Sequence, residues 1–186
     1  MADINARATL RVSVIIPTYN RAAYLQEALA SVFAQRLAPW EVIVIDDGST
    51  DNTEEIVATY DTRLRYFRQA HQGVAAARNY GLKVAQGEVI AWLDSDDLWE
   101  SGFLSTIVPL LAADPELDGV YSGYTQFDDL GNTLPQSSHI VARPSELFSS
   151  LLEHNFIATP AIVLRKRCFE QVGDFNTQLS IGEDYD

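Results

Sequence analysis

Apolar residues fall into two alternating rhythms along the first hundred residues of this chain. Short, nearly unbroken runs from Arg11 to Pro17, Glu41 to Ile45, Leu64 to Phe67 and Glu88 to Leu93 predict strands, most of them buried on both faces. Pro17 stops the first run, because proline cannot donate to a ladder. Between the runs the period changes. Leu25, Ala28, Leu29, Val32 and Phe33 recur at helical spacing and predict an amphipathic helix that fades near Gln35. Residues from Thr53 to Tyr60, and the alanine-rich stretch from Val74 to Ala85, predict two more helices, the second closed by Gly87. Strand and helix in alternation, with short connections, make a mostly parallel, doubly wound α/β sheet with helices on both faces.

After Trp99 the rhythm changes. The stretch from Gly102 to Ala113 reads as a helix, and Gly119 to Phe127 alternates as a strand does. Asp128-Asp129-Leu130-Gly131-Asn132 has turn chemistry and predicts a hairpin returning through Thr133 and Leu134. Pro144 and Glu146 open a helix reaching Glu153, Ala161 to Leu164 is a strand, and Lys166 to Val172 is a short helix ended by Gly173. The second half is therefore mixed and antiparallel. There is no internal repeat and no long linker, so the expected organisation is a tail over residues 1–10 and one domain over 11–186, in halves of 11–100 and 101–186.

Ligands of such sheets sit beyond the carboxyl ends of the strands. Three strands here end in polar loops that share one rim: Pro17-Thr18-Tyr19-Asn20, Asp46-Asp47-Gly48-Ser49 and Asp94-Ser95-Asp96-Asp97. A cluster of carboxylates at the tip of a buried strand is unfavourable on its own. Two unit charges ~5 Å apart repel by roughly 3 kcal/mol at an effective dielectric near 20. A divalent cation reverses that sign, and a few hard oxygen ligands suit Mg²⁺ or Mn²⁺. The bland alternative is an acidic turn that caps the next helix.

Composition sharpens this. The 186 residues carry 13 Lys and Arg against 26 Asp and Glu, a net charge of −13 that speaks against binding nucleic acid or an anionic membrane. The same charge repels a phosphorylated ligand, which again calls for a cation. Cys168 is the single cysteine, so there is no internal disulfide and no cysteine-based zinc cluster, and an inert buried thiol is expected. No apolar run approaches the ~18 residues of a membrane span, and Met1 to Thr9 lacks the apolar core of a signal peptide. The expected setting is the cytoplasm, with peripheral contact at the inner face of the membrane left open. His71, His139 and His154 have no metal-ligand spacing, although His71 lies close to the Gly73 stretch. Trp92 is expected in the core, Trp99 and Phe156 to Pro160 on the acceptor side of the cleft, and Asp97 as a cap for the helix that follows it.

Five stretches in order resemble the family-two, inverting, nucleotide-sugar-dependent glycosyltransferases of the GT-A fold: Ser13 to Asn20, Asp46 to Thr53, Gly73 to Gly81, Asp94 to Asp97, and Gly182-Glu183-Asp184. The resemblance covers Arg11 to Asp186. It implies that Pro17, Thr18, Tyr19, Asp47, Arg78, Asp94 and Ser95 bind the nucleotide, with Tyr19 against the base, Asp47 accepting from a base N–H and Arg78 meeting the diphosphate. It implies Asp96 as ligand to Mn²⁺ or Mg²⁺, Asp184 as catalytic base and Glu183 beside it. Asp46 ranks below Asp47, as a brace for its loop. The partners implied are a nucleoside-diphosphate sugar, such as a UDP-sugar, and a sugar or lipid-linked sugar acceptor, in cell-surface polysaccharide synthesis. Because the chain ends just past the acid pair, a core truncated on the acceptor side is expected, and a nucleotide-sugar-binding core without turnover is the alternative. Other classes fit less well. A phospho-accepting signalling domain needs a lysine at a later strand end, and a dinucleotide oxidoreductase needs Gly-x-Gly-x-x-Gly where Pro17-Thr18-Tyr19-Asn20 stands.

Overall fold

The middle of the sheet is formed by β1 (Val12–Thr18) and β4 (Val89–Trp92), and every residue of both is buried. The computed structural model describes residues 10–60, 63–128, 130–134, 145–179 and 182. With β2 (Glu41–Asp46), β3 (Leu64–Arg68), β5 (Gly119–Tyr121) and β6 (Ile162–Arg165), the sheet has the order β3-β2-β1-β4-β6-β5. The first four strands are mutually parallel, with Ile15 opposite both Ile43 and Trp92. Strand β6 runs antiparallel to β4 and β5. This is the mostly parallel sheet with an antiparallel second half that the apolar runs predict.

Side chains alternate across β1, so its two faces meet different helices. Val12, Val14 and Ile16 pack with Leu25, Leu29 and Val32 of α1 (Ala22–Phe33) and with Leu104, Val108 and Leu111 of α4 (Phe103–Ala113). Ile15 faces the other way and packs with Ile43, Ile45, Ile90 and Trp92, under Ala77 and Leu82 of α3 (Val74–Val84). Helix α3 can lie this close because Gly81 has no side chain: a Cβ there would come under 3.0 Å from Ile15 Cγ2. At the amino ends of the strands the buried Glu41 closes the sheet. Its Oε1 accepts from Ser13 Oγ and Gln86 N, and its Oε2 from Arg65 Nη1, all at 2.6 Å.

Several elements are shorter than their sequence patterns. Helix α2 (Thr53–Val57) stops early, and its last turn closes by i→i+3 bonds from Thr59 N to Ile56 O and Tyr60 N to Val57 O. The alternation from Gly119 to Phe127 becomes a strand only as far as Tyr121, opposite Ile162. Its partner ends there, because Thr159–Ala161 turn into a 3₁₀ helix containing Pro160. The hairpin is reduced to one antiparallel bridge between Phe127 and Thr133, with the Asp128 carboxylate accepting from Leu130 N and Asn132 N. Asp129 and Pro144 lie outside the described residues, and the helix expected after Pro144 is α5 (Leu147–Glu153). The last helix, α6 (Arg167–Val172), ends at Gly173 with φ +95°. No helix among the described residues is long and apolar enough to cross a membrane.

Candidate functional site

The carboxyl ends of β1, β2 and β4 and the start of α3 surround a cavity of about 420 Å³. Pro17, Thr18, Tyr19, Asp47, Arg78, Asp94, Ser95 and Asp96 all line it. Every described residue named from the sequence for nucleotide or metal is thus brought together. Glu183 and Asp184 lie outside the described residues, so their place relative to the cavity is not described. A larger cavity of about 660 Å³, between α3 and α6, contains none of these residues and mixes Lys83 and Lys166 with Glu170 and Asp174.

The loops at the rim brace one another. Asn20 adopts a left-handed conformation (φ 52°), which asparagine tolerates better than most residues. Its N–H donates to Ser49 Oγ at 2.9 Å, and its side-chain Oδ1 accepts from Thr50 N at 2.7 Å. Asp46 Oδ1 accepts from Ser49 N at 2.7 Å and Oδ2 from the Tyr66 hydroxyl at 2.5 Å. Burial and the bond to Asp46 push the Tyr66 hydroxyl well above the ordinary tyrosine value. Asp51 ties this loop to α1, accepting from Ala22 N at 3.0 Å and from Thr53 Oγ1 at 2.6 Å. Gly48 has φ +87°, and a Cβ there would stand 3.1 Å from the backbone N of His71. Conformation and close approach both require glycine.

Asp47 is nearly enclosed and its acceptor capacity is filled from within the chain. Oδ1 accepts from Gln69 Nε2 at 2.7 Å and Gln72 N at 2.9 Å. Oδ2 accepts from Gly73 N at 2.8 Å and faces His71 Nδ1 at 2.8 Å. Tyr19 stacks on the same imidazole, with centroids 4.1 Å apart and planes 22° from parallel. The Thr18 hydroxyl on the cavity wall is buried and has no hydrogen-bond partner among the described residues.

Arg78, on the first turns of α3, is buried, with Nη2 2.9 Å from Asp94 Oδ1 and its guanidinium 5.5 Å from the centre of the Phe175 ring. Asp96 is exposed and pairs with Arg21. Asp97 does not cap a helix: α4 begins five residues beyond Leu98, at Phe103, and Asp97 N instead turns back to Asp94 O at 3.0 Å. Burial, and then the charges of Asp94 and Asp96, push its carboxyl up to about 6, against the opposing pull of Arg21. The tip of β4 thus brings three carboxylates against two guanidinium groups, Arg78 on Asp94 and Arg21 on Asp96. Among the described residues no three His, Cys, Asp or Glu side chains form a metal cage. One or two carboxylates are, however, the number that Mg²⁺ takes from protein when substrate phosphates complete its shell.

Other residues named from the sequence lie away from this cavity. Trp99 does not line it. It is buried, its Nε1 donates to Pro160 O at 2.8 Å, and its ring lies 4.7 Å from that of Phe103. Phe156 is buried edge-on against Tyr121, and none of residues 156–160 lines the strand-tip cavity. Cys168 is only partly buried, and burial together with Asp118 raises its thiol above the usual range. Trp92 is in the core, as expected. Arg21 lines the cavity too, as do Val74 and Ala77 within the Gly73 to Gly81 stretch, none of them named individually from the sequence. A signal for Arg21 exists, since it is the first cation after the β1 loop in a chain rich in unpaired carboxylates.

A parallel-centred α/β sheet with an antiparallel edge, its strand tips presenting an aromatic ring, a buried guanidinium and paired carboxylates to one hollow, is the GT-A architecture of nucleotide-sugar transferases. The chain belongs to glycosyl transferase family 2, whose family model matches residues 13–173. It is 36% identical over 181 residues to an uncharacterized glycosyltransferase of Rickettsia conorii, covering 94% of this chain and 30% of that protein. It is also 36% identical over 122 residues to the glycosyltransferase GlyG of Streptococcus pneumoniae, covering 63% of this chain and 40% of that one. Among solved structures, S. aureus TarS 1-349 in complex with UDP-GlcNAc superposes with a TM-score of 0.76 at 27% identity, covering 95% of this chain and 51% of that one. The mannosyltransferase PcManGT of Pyrobaculum calidifontis, in complex with GDP-Man and Mn²⁺, superposes with a TM-score of 0.69 at 27% identity, covering 95% and 50%. The chain thus spans about half or less of the length of these relatives.

Proposed function

We propose that this chain holds a nucleoside-diphosphate sugar in the strand-tip cavity and, as part of a glycosyltransferase, transfers the sugar with inversion to an acceptor hydroxyl. The observation that carries this reading is the convergence of Tyr19, Asp47, Arg78, Asp94 and Asp96 on one 420 Å³ hollow, within the size range of small-molecule sites. Tyr19 offers the base a ring face. Thr18 lines the wall beside it. Arg78, held by Asp94, places a fixed positive charge where the diphosphate lies.

The excess negative charge at Asp94, Asp96 and Asp97 fits a divalent cation, with Asp96 as its protein ligand and Arg21 as the counter-charge that Asp96 otherwise takes. Such a cation supplies charge neutralisation on the departing diphosphate. In the transfer itself the acceptor oxygen forms a bond to the anomeric carbon from the face opposite the leaving group. The bond from that carbon to the phosphate oxygen breaks, and the electron pair leaves with the nucleoside diphosphate. The acceptor proton passes to a carboxylate, a role we assign to Asp184 with Glu183 beside it. A single transfer to a sugar or lipid-linked sugar is the expected outcome, in a single domain spanning 11–186 and in the cytoplasm.

Thermal unfolding in the presence of UDP, UDP-GlcNAc or GDP-Man, each with and without Mn²⁺, tests the donor half. Ligand at 100 times its Kd stabilises by about 2.7 kcal/mol, and the shift is expected only with metal present. NAD is expected to do nothing. The reading fails if no nucleoside diphosphate raises the midpoint with Mn²⁺ present.

A further inference from the structure

We infer that the His71 imidazole occupies, in the unliganded protein, the position of the donor's nucleobase, and that it must swing away for the donor to bind. This rests on the nucleotide-sugar reading of the cavity. A planar base in this hollow has two interactions available from β1 and β2: a ring face on Tyr19 and an N–H donated to Asp47. His71 makes both. Its ring is stacked on Tyr19 at 4.1 Å, and Nδ1 lies 2.8 Å from Asp47 Oδ2 and 3.2 Å from the Asp47 carbonyl oxygen. Two acceptors on one nitrogen place the proton on Nδ1, so the ring presents a donor as an imide does.

The surroundings single out His71 as the group that leaves. Asp47 is engaged by four donors, and two of them are the backbone N–H groups of Gln72 and Gly73, which hold the entry to α3. They cannot be released without dismantling that entry. Of the two side chains, Gln69 binds the other oxygen and does not stack on Tyr19. The His71 side chain is 57% exposed, against 4% for Asp47, so a rotation carries the ring into solvent while the carboxylate stays fixed. His71 is in this sense a positioning residue. It keeps Tyr19 and Asp47 arranged for a flat ring with a donor, and it competes with any base that cannot replace both contacts. Bases with a ring N–H at that edge (uracil, thymine, guanine) can do so. Cytosine presents an unprotonated ring nitrogen at that edge, and Asp47 repels it.

Proton NMR with UMP as the probe, in the presence of Mg²⁺, tests the exchange without turnover. In the free chain, ring-to-ring cross-peaks between Tyr19 and His71 are expected. At saturating UMP they vanish and are replaced by cross-peaks from Tyr19 to the uracil ring protons. Binding by His71→Ala, which removes the competitor, is expected to be about tenfold tighter for UMP if the imidazole fills the slot nine-tenths of the time, with CMP binding far more weakly than UMP. Persistence of the Tyr19–His71 cross-peaks at saturation overturns the inference while leaving the cavity reading intact. So does His71→Ala binding UMP no better than the parent, or CMP binding as well as UMP. If UMP binds neither protein, the nucleotide reading itself falls and this inference with it.

Discussion

Gly81→Ala is the most informative single change, because it sets helix propensity against packing and links both to the site. Alanine in a helix interior is better than glycine by about 0.8–1.0 kcal/mol, so a purely local view predicts stabilisation. The added Cβ, however, points at Ile15 Cγ2 and would come under 3.0 Å from it. Ile15 is fully buried in a central strand among Ile43, Ile45 and Ile90. Its branched Cβ leaves little freedom at χ1, so the γ2 methyl cannot turn aside. Relief must come from lifting α3 off β1, and overpacking of this kind costs about 1–3 kcal/mol. The net expectation is a loss of about 0–2 kcal/mol after the propensity gain, read as a lower midpoint in urea denaturation followed by circular dichroism. Arg78 lies three residues earlier on the same face of α3, so a lifted helix also stretches its 2.9 Å contact to Asp94, and nucleotide affinity should fall with stability. Ile15→Ala removes the obstructing methyl. In the Gly81→Ala background it should cost less than the roughly 2–5 kcal/mol of an isolated Ile→Ala change, with a coupling beyond about 0.5 kcal/mol. A Gly81→Ala protein more stable than the parent, or strict additivity in the double variant, would refute the packing argument.

Three further expectations follow from separate parts of the molecule. Burial alone would raise the Glu41 carboxyl, but hydrogen bonds from Ser13, Gln86 and Arg65 outweigh it and hold it below its ordinary value of 4.5. A depressed folded-state value contributes stability above the unfolded one and loses it as pH falls through the folded one. Denaturation midpoints should therefore fall as the pH drops below that range, and Glu41→Gln should flatten this dependence. Tyr66→Phe removes a hydroxyl that donates to the buried Asp46 and is expected to cost about 1.5–3 kcal/mol, measured by the same unfolding assay. Asp96→Ala, at an exposed position, should change stability by less than about 0.5 kcal/mol while abolishing the effect of Mn²⁺ on UDP binding in calorimetry. An unchanged metal effect would move the metal ligand elsewhere.

What was legible in the chain was whatever depends on local pattern. The Val- and Ile-rich runs marked β1, β2 and β4, three of the four parallel strands, since burial on both faces leaves no alternation to confuse them. The loops that follow them had to share a rim because parallel strands point the same way. The second half was less legible because its elements end for non-local reasons. Strand β5 stops at Tyr121 when its partner bends at Pro160, 39 residues away along the chain, and no property of Gly119 to Phe127 announces this. Trp99 is tied by its indole to Pro160, a contact that nothing near it in the chain announces.

The loop after β2 makes the same point at the level of single residues. Asp46, Asp47 and Asp51 are three like carboxylates within six positions, and the chain gives them three different tasks. Asp46 faces inward and fixes the loop to Tyr66 and Ser49. Asp51 faces back to α1 and holds Ala22 and Thr53. Only Asp47 turns to the cavity, and one of its four donors, the exposed His71, is a side chain that can leave. Net charge and spacing cannot separate these roles, because each depends on which donors the fold brings to each carboxylate. A carboxylate turned away from the cavity is a brace, and one that lines it beside an exposed side-chain donor is poised to exchange that donor for a ligand. By that criterion Asp47 belongs to the binding site and Asp46 to its scaffold. Alanine at Asp47 should weaken UMP binding more than it lowers the unfolding midpoint, and alanine at Asp46 should do the reverse.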